Sequence, residues 1–270
     1  MSEIEKFQTE VKENIEGLGA DTDLQACSLD WIVKSIAHKY SYNFSWLGRP
    51  IIQYPQDIVA LQELIWQVKP DLVLETGIAH GGSLILSASM LALLEYCEAT
   101  DAGLVVDPAN PRRMVLGVDV DIREHNRKAI EAHPMSSRIS LIQGSSIAPD
   151  VIGQVRKIAG KYTRILVCLD SNHTHEHVFA ELEAYAPLTS KGSYCCVFDT
   201  VIEDMPTEMF SDRPWRPGDS PKSAVRQYLR ELEGGMIVAV DGEPLKFQVD
   251  RKIDAKLSIS VAPQGYLKRV

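Results

Sequence analysis

The sequence has no uninterrupted apolar run that reaches the roughly 18 residues that a membrane-spanning helix requires. Its opening residues, MSEIEKFQTEVKENIE, carry too much charge for a secretory leader. A cytoplasmic protein with no membrane span is therefore expected. It also lacks a basic excess: the formal net charge is -9 and the pI is near 5.3. Lys and Arg are scattered, so no footprint for a phosphate backbone exists and nucleic acid is excluded as an expected partner. Cysteine is scarce and unpatterned. The five residues Cys27, Cys97, Cys168, Cys195 and Cys196 form an odd set without zinc-like spacing. They read as reduced and mostly buried thiols. No repeat or low-complexity tract breaks the chain. What is present is an ordinary globular composition, 45% hydrophobic and 24% charged over 270 residues, which suits one α/β domain with an N-terminal extension.

Residues 1–50 are expected to form that extension. Ile4, Phe7, Val11 and Ile15, then Trp31, Ile32 and Ile36, recur at helical spacing, and Gly17 and Gly19 interrupt them. Two helices follow from this pattern. The aromatic stretch Tyr40–Pro50 reads as a loop packed on the core or as a wall of a substrate cleft. Residues 51–270 then alternate. Helices are expected over 57–68, 83–96, 123–132, 150–159, 176–185 and 223–233, and strands over 72–75, 114–119, 139–142, 165–170, 194–198, 247–249 and 257–261. The first five strands are short apolar runs rather than alternating ones, as a parallel sheet covered on both faces requires. The fold class implied is a Rossmann-like, doubly wound, mostly parallel seven-stranded α/β sheet, with the last two strands as a hairpin-like edge. After Asp199 the pattern lapses for about 20 residues; a loop that long inside a domain is usually functional.

The chemistry-bearing residues fall at strand ends. Glu75-Thr76-Gly77-Ile-Ala-His80-Gly81-Gly82-Ser83 stands where a buried strand turns into a helix, where glycines let a ligand approach the backbone and the helix offers free N–H groups. The spacing is not that of a dinucleotide fingerprint. An acid at the strand end would repel a pyrophosphate and attract an ammonium-bearing cofactor, which points to S-adenosylmethionine. Asp119 and Asp121 end the next strand, where a carboxylate can take ribose hydroxyls. Gly144, Ser145 and Ser146 end the one after and suit an adenine edge or a plain turn. Asp170, with His173 three residues on, pairs a hard-oxygen metal ligand with a base. His175 and His177 read as surface or capping residues. Asp199, on an adjacent strand end about 5 Å away, can join Asp170 around a magnesium ion. Glu203 and Asp204 either add a ligand or are merely solvated.

These residues resemble the cephalosporin hydroxylase family, which includes rhamnosyl and macrolide-sugar O-methyltransferases. The likeness runs from about Tyr42 to Tyr228 and rests on four pieces. They are the lead-in Ile51–Pro70, Glu75-Thr-Gly with Gly81-Gly-Ser83, Leu169-Asp-Ser-x-His-x-x-Glu-His177, and Tyr185-Ala-Pro with Gly192-Ser-Tyr194. The resemblance implies an S-adenosylmethionine-dependent O-methyltransferase acting on a sugar hydroxyl of a small molecule or glycan. It further implies magnesium on Asp170, deprotonation by His173, and homo-oligomerisation. The family usually has Glu-Asp-Thr where this chain has Phe198-Asp199-Thr200. Asp204 or Glu203 then replaces the missing ligand, or the metal is held more weakly, or this branch dispenses with it. Residues 205–221, with Trp215, are the candidate acceptor cover. The competing readings are a nicotinamide-dependent oxidoreductase and a non-catalytic partner subunit that keeps the cofactor pocket. Hydroxylation itself would need a two-histidine, one-carboxylate iron site, for which no convincing spacing exists.

Overall fold

The computed structural model describes residues 2–235 and 237–270. Two helices open the chain, α1 (Glu3–Ala20) and α2 (Thr22–Ile36). Gly17 and Gly19 lie inside α1 rather than ending it. The break falls at Asp21, whose carboxylate accepts from Leu24 N and caps α2. Gly19 is kept small by packing, since a Cβ there would lie 2.9 Å from that of Ala255. The aromatic stretch forms a short hairpin, β1 (Phe44–Trp46) and β2 (Arg49–Ile51). Tyr40, Phe44 and Trp46 pack on the core while Tyr42 faces the cleft, so the stretch both packs and lines a pocket.

The remainder alternates as α3 (Pro55–Val68), β3 (Leu72–Thr76), α4 (Gly82–Ala102), β4 (Met114–Asp119), α5 (Glu124–Glu131), β5 (Ile139–Gln143) and α6 (Pro149–Ala159). It continues with β6 (Ile165–Leu169), α7 (His175–Tyr185), β7 (Tyr194–Val197), α8 (Pro221–Gly234), β8 (Phe247–Val249), α9 (Arg251–Leu257) and β9 (Tyr266–Arg269). Seven strands make one sheet in the order β5-β4-β3-β6-β7-β9-β8. The first five are parallel, and β9 runs antiparallel to both β7 and β8. The order reverses between β3 and β6, and ligands of open α/β sheets bind outside the carboxyl ends at such a reversal.

Successive strand residues feed opposite faces. Val73, Val115, Leu166 and Cys196 join α2, α3 and α4 on one side; Leu74, Leu116, Val167 and Cys195 join α6, α7 and α8 on the other. Helix α4 is long and apolar enough to cross a membrane, with a mean hydropathy of 1.2 over an 18-residue window, but 61% of that window is buried in the fold. Its apolarity is that of a core helix. All five cysteines are free, Cys168, Cys195 and Cys196 buried and Cys27 exposed.

One expected strand is wrong. Residues 257–261 are not a strand: Leu257 ends α9, and Ser260 and Val261 lie in an irregular segment held by Asp57. The last strand is β9, so β8 and β9 pair at the sheet edge but are separated by a helix rather than by a short turn.

Candidate active site

Four strand ends converge on one cleft of about 500 Å³. The sheet register puts Gly77, Asp170 and Asp199 side by side at the reversal, since Asp170 N donates to Thr76 O and Phe198 N donates to Leu169 O. Gly77 has φ +80°, and a Cβ there would sit 2.0 Å from Asp170 O, so only glycine lets β3 and β6 end this close together. Gly82 lies against the hairpin in the same way, with a Cβ only 2.2 Å from Pro50 O. Arg49 ties that hairpin to the loop and to α5, donating through Nε to His80 O at 3.0 Å and through Nη2 to Asn126 Oδ1 at 3.1 Å.

Ligand atoms of Asp170, His173 and Asp199 all fall within 4.8 Å of one another. His173 Nε2 is 3.1 Å from Asp199 Oδ2. The His173 ring meets Trp215 edge-on, with centroids 4.7 Å apart and planes at 83°. Asp199 sits at φ +53°, a left-handed conformation uncommon for a non-glycine residue, which turns its carboxylate into the cleft. Burial, followed by the neighbouring charge of Asp199, pushes the Asp170 carboxyl well above its ordinary value. Two carboxylates and an imidazole this close suit a divalent cation, whose charge would reverse that shift.

The expected residues otherwise divide. His80, Gly77, Ser83 and Asp119 line the cleft. Asp119 also accepts from Ile78 N at 2.9 Å and from Asp121 N at 3.0 Å, so it braces the glycine loop. Asp121 points away: its side chain is 69% exposed and faces Arg123. Glu75 does not reach the open cleft either. It is buried, bonded by Ser83 Oγ, and lines a small chamber behind the cleft; burial, the largest cause, raises its pKa from 4.5 to about 8. Thr76, fully buried, contributes through its backbone. Gly144, Ser145 and Ser146 lie at the neighbouring strand end outside the cleft wall, where Ser146 Oγ meets His177 Nε2 at 3.0 Å.

Asp204 is not with the cation cluster. The short helix Thr200–Asp204 turns it away, and it pairs with the buried Lys222. Glu203 is equally engaged, accepting from Gly218 N at 2.9 Å and from Ser220 Oγ. Neither acid therefore stands in for Phe198, which is buried on the α3–α4 side against Tyr266. His175 and His177 are not surface groups: His175 bonds Ser223 and Gln227, and His177 bonds Ser146 and Ser171. Sequence reasoning missed Arg49 and Gln53. The lead-in Ile51–Pro70 marked their neighbourhood without singling out either.

A family model described as rhamnosyl O-methyltransferase/CmcI matches residues 38–270. A rhamnosyl O-methyltransferase of Mycobacterium leprae (strain TN) is 26% identical over 239 residues, covering 86% of this chain and 88% of its own. One from Mycobacterium bovis (strain BCG / Pasteur 1173P2) is 26% identical over 244 residues, covering 86% and 83%. Among solved structures, CmcI with Mg and S-adenosylmethionine aligns with a TM-score of 0.52 at 16% identity, covering 85% of this chain and 77% of that one. That likeness shows the shared fold.

Proposed function

The chain belongs to the rhamnosyl O-methyltransferase/CmcI family and is an S-adenosylmethionine-dependent O-methyltransferase, and from that premise we propose that it methylates a sugar hydroxyl with help from a divalent cation. The acceptor class is a deoxysugar-bearing glycan, nucleotide sugar or glycosylated natural product; the mycobacterial relatives are named rhamnosyl O-methyltransferases, which supports the sugar part of this reading. The observation that carries the reading is the Asp170–His173–Asp199 cluster, set at the sheet reversal under Trp215.

The Gly77–Ser83 loop and Asp119 take the cofactor along one wall of the cleft. Asp170 and Asp199 would hold a cation of the magnesium class, which when bound polarises the acceptor hydroxyl. His173 would take the hydroxyl proton as the oxygen attacks the sulfonium methyl in line; the S–CH3 bond would break with its electron pair going to sulfur, S-adenosylhomocysteine would leave, and Asp199 steadies the imidazolium that results. Trp215, Met209 and Phe210 present apolar surface to the acceptor and exclude water above His173. Most of the rate comes from alignment, since both reactants are held in one cleft.

Methyl-labelled S-adenosylmethionine incubated with rhamnosides tests this. Label recovered as a sugar O-methyl group supports it. Cofactor binding without transfer to any sugar acceptor would contradict it.

A further inference from the structure

Behind the cleft lies a chamber of about 20 Å³, bounded by Gln53, Asp57, Glu75 and Asp170 and closed by apolar groups such as Leu61 and Phe198. Gln53, Ser83 and Asp170 line the chamber and the cleft alike, so the two spaces share a wall. The volume suits one water-sized group.

The chamber is a set of hydrogen-bond acceptors, and no Lys or Arg lines it. Asp57 is already satisfied, accepting from Ser260 Oγ at 2.6 Å, Tyr266 Oη at 2.7 Å and Val261 N at 3.0 Å. Glu75 has Ser83 on one oxygen. Gln53 is only 8% exposed, and its Oε1 is buried with no hydrogen-bond partner among the described residues. A buried amide oxygen of this kind calls for a donor from outside the protein. A compact cation with several N–H bonds answers Gln53 Oε1, the second Glu75 oxygen and the Asp170 carboxylate at once. A primary ammonium has that shape, and the methionine end of S-adenosylmethionine carries one.

We infer that Gln53 is a cofactor-binding residue and that the chamber it shares with Glu75 and Asp170 receives the α-ammonium group of S-adenosylmethionine. The inference rests on the methyltransferase reading and adds a recognition element to it. Asp170 then faces both ligands, the cofactor's amine on one side and the cation cluster on the other.

Calorimetric titration of wild type and Gln53→Met tests it with two ligands, S-adenosylmethionine and its deaminated analogue, in which a 2-oxo group replaces the amine. Wild type is expected to bind S-adenosylmethionine at least about 10-fold more tightly than the analogue, as a charge-assisted hydrogen-bond set implies. Gln53→Met is expected to lose about 10-fold for S-adenosylmethionine and almost nothing for the analogue. If Gln53→Met fails to fold, Gln53→Asn, which withdraws the amide by one methylene, carries the same expectation. Equal wild-type affinity for the two ligands overturns the inference, and so does a variant that weakens both alike or neither. Wild type that binds neither ligand overturns the methyltransferase reading and this inference with it.

Discussion

At the scale of single residues, the site depends on where a few charges are forced to sit. His173 is held by Asp199 and Trp215, and it is the imidazole of the Asp170–His173–Asp199 cluster. His173→Ala should lower kcat by about 100-fold or more while leaving the Kd for S-adenosylmethionine within about threefold; single-turnover rates and calorimetry check the two halves. Glu75 gives a pH signature. Its folded pKa, about 8, is raised above the ordinary 4.5, so the native state holds an extra proton between those values. Stability from this group therefore falls as pH rises through that window. Melting temperatures of the ligand-free protein should drop between pH 5 and pH 8, and Glu75→Gln should flatten that drop; a Glu75→Gln profile parallel to wild type would assign the slope to other groups. Phe198 shows how one residue changes a site. It spends the position on packing against Tyr266, and the two acids that follow are committed to Lys222, Ser220 and Gly218.

At the scale of elements, the parallel strands were legible because each is a short apolar run bounded by a turn, and the acids at their ends marked the carboxyl edge of the sheet. The final strand was not. Residues 257–261 look like a strand because Leu257, Ile259 and Val261 alternate, yet Asp57 ties Ser260 and Val261 to α3 instead. The true strand β9 carries Lys268 and Arg269, which disguise it; Arg269 is 1% exposed because Thr189 O and Asp241 take its guanidinium. Pairing partners of that kind come from distant segments and leave no local pattern. For the same reason the sequence does not show that Asp204 pairs with Lys222 or that Asp121 lies exposed beside Arg123, and nothing in it singles out Gln53. The segment 205–221, irregular in sequence, does cover the cleft with Met209, Phe210 and Trp215. Trp215→Ala should raise KM for the acceptor about 10-fold through lost apolar contact with little change in cofactor affinity. An unchanged acceptor KM would show that the segment does not touch the acceptor.

For the whole molecule, the family match begins at residue 38, after α1 and α2. Helix α1 buries no residue and rests on α9 through Gly19 and Ala255. Removing residues 2–20 should leave cofactor affinity unchanged and lower the melting temperature by only a few degrees, the size expected for about 1–2 kcal/mol in a domain this large; calorimetry measures both. The cleft, by contrast, is made by elements from both ends of the chain, since Val261 and Ile51 both line it. We propose that this cleft transfers a methyl group to a sugar oxygen with a cation at Asp170 and Asp199. The most direct test is mass-spectrometric detection of O-methylated sugar after incubation with S-adenosylmethionine and a panel of rhamnosides, with magnesium or with EDTA. The account predicts a gain of one methyl group on the sugar, suppressed by EDTA and abolished in Asp170→Ala; a protein that binds S-adenosylmethionine yet methylates no sugar under either condition would contradict it.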